Sequence, residues 1–162
     1  MKLSELFRRH PNITREAVQV WFETAFEILD MVMAAVSDQI DEKVKTWNLE
    51  NPHLLYTLGY LAGFLDAAYQ RLAGRHEYDE HFIEELFLEA VERYLLNIEG
   101  AGEYLQMARS VLPHGGSTIG GMQSYPDFMK AMTDGGNCYV DTFKGKSSAR
   151  FSLFLRLTGQ DI

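Results

Sequence analysis

An apolar period of three and four residues, sustained across most of its first hundred positions, constrains this chain more than anything else in it. Val18, Trp21, Phe22, Ala25, Ile28, Leu29, Val32, Ala35, Val36, Ile40 and Val44 return at that step. The step puts them on one face of a 3.6-residue helix, not on the alternating faces of a strand. Thr14 offers an N-cap hydroxyl and Glu16 a negative charge near the positive end of the dipole, so a long helix is predicted from there to about Trp47. Asn51-Pro52 repeats the start signal, with proline at the first helical position where its missing N–H costs nothing, and Gly74 supplies the stop. A third helix is predicted from Asp79, with Phe82, Ile83, Leu86, Phe87, Val91, Tyr94, Leu95 and Ile98 inward and Glu84, Glu85, Glu89 and Glu92 mostly toward water. Gly100 and Gly102 break or bend it before a fourth segment, Glu103 to Leu112, which Pro113 ends.

Beyond Leu112 the period fails. His114-Gly115-Gly116-Ser117-Thr118-Ile119-Gly120-Gly121 reads as a glycine-rich loop that sustains no regular structure without a large loss of backbone entropy. Ser124 to Met132 is predicted as a short helix, Asp134-Gly135-Gly136-Asn137 as a turn, Cys138 to Phe143 as extended, and Ser147 to Leu157 as a final short helix. The expected fold is all-α: a bundle of four to five main helices with an irregular, Gly-rich carboxy-terminal third. The 162 residues suit a single domain, with a helical core over 1–112, the loop and short elements over 113–146, and the last helix within 147–162.

Composition narrows the functional classes. Apolar residues at 46% and charged residues at 23% are those of a globular chain and not a disordered one. A single cysteine, Cys138, permits no intramolecular disulfide and leaves a Cys-based zinc cluster without ligands. The amino terminus lacks the continuous apolar core of a signal peptide, and no stretch approaches a membrane span, so a cytoplasmic location without a membrane partner is expected. The net charge is −8, and residues 1–112 carry 10 Lys and Arg against 19 Asp and Glu. Such a body repels a phosphate backbone, so nucleic acid is not expected as a partner.

Several groups of residues are candidates for chemistry or packing. Gly59 and Gly63, one turn apart, lie on a face shared with Asp66 and Gln70 and remove the bulk that keeps two helix backbones apart; they are read as helix-packing positions. Glu23, Glu27, Asp30, Asp66, Glu85, Glu89 and Glu92 contain the Glu-x-x-Asp spacing with which all-α nucleotide hydrolases hold magnesium, although solvated acidic faces explain them more simply. His76-Glu77-Tyr78-Asp79-Glu80-His81, with Glu84 or Glu85, invites a metal reading but has neither ferritin-like nor zincin spacing, so no metal and no cofactor are expected. Arg71 and His76 match the loose Arg-x(4–6)-His pattern of HEPN-type ribonucleases. The glycine loop fits no phosphate-binding or nucleophile motif. Met122, Tyr125, Phe128, Met129 and Met132 follow it, and these adaptable apolar side chains are read as a partner-binding set.

Trp21-Phe22-Glu23, Val111-Leu112-Pro113-His114-Gly115-Gly116-Ser117 and the helix from Arg150 to Leu157 resemble, in order and rough spacing, the IcmW-type acidic adaptors of type IVB secretion systems. The resemblance implies a non-enzymatic adaptor or chaperone that pairs with a second small subunit and a coupling protein. The expected function is therefore a small acidic protein acting through helical protein–protein contact, as a homodimer or with a helical or secretion-related partner. The alternative is an all-α metal-dependent nucleotide hydrolase or a HEPN-like ribonuclease.

Overall fold

A computed structural model of the chain describes residues 15–73, 80–143 and 152–159. Among them are the helices α1 (Arg15–Lys43), α2 (Pro52–Ala73), α3 (Glu80–Leu95), α4 (Ala101–Val111), α5 (Thr118–Met122), α6 (Pro126–Phe143) and α7 (Ser152–Leu157), with a 3-10 turn at Leu112–His114. The fold is all-α, and no strand occurs among the described residues. No helix among the described residues is long and apolar enough to cross a membrane.

Helix α2 is the axis of the bundle. It packs against α1, α3, α5, α6 and α7, and Leu54, Leu58, Tyr60, Leu61, Phe64, Leu65 and Tyr69 on its several faces are all fully buried. A helix apolar on most sides belongs in the middle of a bundle, and its neighbours are amphipathic because each has one face against it. Asn51 starts α2 as expected, its side chain accepting from the His53 N–H at 2.9 Å, which satisfies one of the free N–H groups of the first turn. The turns that follow α1 and α3 are joined by the Trp47 N–H donating to the Glu99 carbonyl at 2.7 Å. Trp47 also stacks on Tyr104 with ring centres 4.4 Å apart.

The carboxy-terminal third departs from the sequence expectation. Residues 124–143 do not form a short helix, a turn and an extended piece. From Pro126 to Phe143 they are one helix, which runs straight through Gly135 and Gly136. The stretch 114–121 is also more regular than a loop, since it contains the end of the 3-10 turn and most of α5. The physical reason lies in the contact between α2 and α6. A methyl group on Gly59 would overlap the carbonyl oxygen of Phe128, one on Gly63 the carbonyl oxygen of Met132, and one on Gly135 the carbonyl oxygen of Tyr60. The glycines of each helix thus receive the backbone of the other. Each glycine costs about 1 kcal/mol of helix propensity, which the packing of Phe128, Ala131, Cys138 and Tyr139 into the core offsets at about 1.5–3 kcal/mol for a large side chain.

Polar contacts seat the last helix. Arg156 on α7 donates to Asp127 on α6 at 2.7 Å and lies over the Tyr56 ring, 5.3 Å from its centre. Tyr56 in turn donates to Asp134 of α6. The expected boundary at residue 113 is therefore not a boundary of the core. Phe128, Ala131, Cys138 and Tyr139 are as deeply buried as the core side chains of α2, and Leu153 and Leu157 join them.

Candidate functional site

The five side chains read as a partner-binding set divide into two groups. Met122 and Phe128 are buried in the core of this chain, because the face of α6 that carries Phe128 is the face turned to α2; they are corrected from partner-binding to core positions. Met132 is half-buried against the same core. Tyr125 and Met129 are exposed at 37% and 44%, and Val140, which the sequence reading missed, is exposed at 41%. Met129 and Val140, eleven residues apart, fall on one side of α6, away from the buried Phe128, Ala131 and Cys138, and Tyr125 stands just before the helix, its carbonyl accepting from the Met129 N–H at 3.2 Å. Counting α6 as one helix is the signal that would have found Val140.

The acidic candidates do not behave as one set. Glu23 and Glu27 are exposed. Asp30 is held by three donors of α3: Arg93 Nε at 2.9 Å, Arg93 Nη2 at 2.8 Å and the Tyr94 hydroxyl at 2.7 Å. Desolvation acts to raise the Asp30 pKa, but the hydrogen bonds from Arg93 and Tyr94 and the guanidinium charge outweigh it, and the carboxyl lies below its ordinary value. The Glu27-x-x-Asp30 spacing is real, yet its second carboxylate is engaged in tying α1 to α3. Asp66 accepts from Gln70 of its own helix at 3.2 Å.

Glu85, Glu89 and Glu92 line one cleft with His81, Arg109, Leu88, Leu112 and Pro113, about 450 Å³ in volume, between α3 and α4. This departs from the expectation that these acids simply face water. Within it, His81 Nε2 is 3.2 Å from Glu85, and Arg109 donates to Glu92. Among the described residues no group of three His, Cys, Asp or Glu side chains is placed to hold a metal ion. Arg71 lies in the last turn of α2. His76 and Glu77, on which the ribonuclease and metal readings depend, lie outside the described residues. Cys138 is buried.

Glu84 was expected outward and is instead 5% exposed. It faces the glycine-rich stretch and takes it up as an anchor. One carboxylate oxygen accepts the Ser117 hydroxyl at 2.5 Å and the Ile119 N–H at 3.1 Å. The other accepts the Thr118 hydroxyl and, at 3.0 Å, the Thr118 N–H. The Ser117 oxygen also accepts from the Gly120 N–H at 2.9 Å as the N-cap of α5. A buried carboxylate needs such a set, because its desolvation is otherwise prohibitive. Next to it, burial pushes the Tyr104 phenol up to about 12, with a hydrogen bond to Thr118 acting against the rise and the charge of Glu84 adding to it.

No protein-family model, curated protein or solved structure matches this chain.

Proposed function

We propose that the chain is a small acidic, non-enzymatic adaptor or chaperone-like protein of the cytoplasm that works through helical protein–protein contact, as a homodimer or with a helical, secretion-related partner. The observation that carries this reading is the outer side of α6, where Met129 and Val140, with Tyr125 just before the helix, stand in solvent while its other face is fixed by backbone-to-backbone packing. Exposed Met and aromatic side chains adapt to varied apolar partners, and a helix already fixed in place adds no backbone ordering cost on binding. A net charge of −8 selects against most acidic surfaces and so favours particular partners. The resemblance to IcmW-type adaptors supports the same class.

Met129→Glu tests the proposal. The variant is expected to keep the thermal midpoint of the parent within about 2 °C, since surface substitutions change stability by about 0.5 kcal/mol or less. Self-association measured by light scattering, or retention of a partner captured from the host, is expected to weaken tenfold or more, the effect of losing about 1.4 kcal/mol at an interface anchor. Association unchanged in Met129→Glu and also in Val140→Glu removes the α6 stripe from the binding surface.

A further inference from the structure

The glycine-rich stretch between α4 and α6 has a construction that the rest of the bundle lacks. Among the described residues, its side-chain-mediated hold on the body runs to Glu84, which accepts from Ser117, Thr118 and Ile119, while backbone bonds tie its two ends to the adjoining elements, Gly116 N–H to the Val111 carbonyl and Met129 N–H to the Tyr125 carbonyl. Its apolar hold is Ile119 and Met122, exposed at 7% and 3%. Gly115 sits at its entry with φ +85° and no atom within 4 Å of where a side chain would begin, and Gly121, inside it, is equally unobstructed. Its own hydrogen bonds are short-range: Gly120 N–H to Ser117, Gln123 N–H to the Gly120 carbonyl, Tyr125 N–H to the Met122 carbonyl. A segment with few apolar anchors and local hydrogen bonds opens at a lower free energy than the core around it.

We infer that residues 115–125 are a latched strap: Glu84 is the catch, and the strap swings off the bundle as one unit while α2 and α6 stay folded. The closed form covers Ile119 and Met122. The open form exposes both. The inference stands on the geometry of the strap and does not depend on the adaptor reading.

Hydrogen exchange of the whole chain, read residue by residue, tests it. In the parent protein the amides of Thr118, Ile119, Gly120, Gln123 and Tyr125 are expected to exchange with one common opening equilibrium, at least a hundredfold faster than those of Leu58 to Leu65 in α2. In Glu84→Gln, all five are expected to accelerate together by tenfold or more, and the α2 amides, which exchange by global unfolding, are expected to accelerate by no more than the same factor and to stay at least a hundredfold slower. Thr118→Val removes one hydroxyl donor and leaves the carboxylate in place, and it is expected to accelerate the same five by a smaller factor. Acceleration confined to Thr118 and Ile119 overturns the inference, because Glu84 is then only a local acceptor. Exchange of the five at the same rate as the α2 amides overturns it as well, since the segment then opens only when the whole protein does.

Discussion

Gly63→Ala is expected to lower the thermal midpoint by roughly 6–12 °C, the consequence of losing about 3 kcal/mol in a chain of this size. Overpacking a core commonly costs about 1–3 kcal/mol because side chains shift to make room. At Gly63 the obstruction is backbone. The added methyl would overlap the Met132 carbonyl oxygen, and the Met132 Cα and carbonyl carbon would lie 2.6 Å from it. Neither group can rotate away without moving α6 off α2, so the loss is placed at the top of that range. It exceeds the roughly 1 kcal/mol that alanine returns in helix propensity. Gly102→Ala is the matched control: it is exposed in the first turn of α4 with nothing within 4 Å, and it is expected to raise the midpoint slightly, by about 0.5 kcal/mol. Equal midpoints for the two variants would show that α2 and α6 do not approach as closely as their glycines permit.

Glu84→Ala is expected to be about as damaging, with a loss of about 3 kcal/mol by urea unfolding. Hydrogen bonds to a charged acceptor contribute about 1.5–3 kcal/mol each, and a buried donor left without a partner costs about 1–3 kcal/mol. Ser117 is exposed, so water re-satisfies part of the set, and the total falls well below the simple sum of four donors. Glu84→Gln keeps one carbonyl oxygen and is expected to lose about half as much. Glu85→Ala, one residue on, removes a half-exposed carboxylate whose bond is to His81, and a change within about 0.5 kcal/mol is expected. A loss from Glu85→Ala as large as that from Glu84→Ala would mean that burial of the carboxylate is not what matters.

The two predictions fall on the two places where the sequence was hardest to read. Helices α1 to α4 were legible because their apolar residues repeat at one step and their starts are marked by Asn51-Pro52 and similar signals. Helix α6 is not, because Gly135 and Gly136 read locally as breakers. When Gly135 is counted as a small member of the series, Phe128, Ala131, Gly135 and Cys138 repeat at three and four residues, which is the helical face that the structure buries. What no local pattern gives is the other helix: Gly59 and Gly63 announce a close approach, and Gly135 announces another, but only the tertiary fold makes them a single contact.

Glu84 was hidden in a different way. A run of Glu84, Glu85, Glu89 and Glu92 looks like one solvated face, yet Glu84 is in phase with Leu88, Val91 and Leu95, all buried. Its phase marked it as inward, and its charge argued otherwise. The hydroxyls and N–H groups that resolve the conflict come from Ser117 to Ile119, more than thirty residues away. The outer stripe of α6 was half legible: Tyr125 and Met129 were found by residue type, whereas Met122 and Phe128, of the same types, belong to the core because of their phase.

That residues 126–143 complete the core, and so hold Tyr125, Met129 and Val140 rigidly in solvent, is tested most directly by hydrogen exchange in α6 itself. The amides from Gly135 to Tyr139 are predicted to exchange only by global unfolding, within about threefold of those from Leu58 to Leu65 in the facing helix. Exchange a hundredfold faster in α6 than in α2 would contradict the account, for the carboxy-terminal third would then be an appendage to the bundle and not part of it.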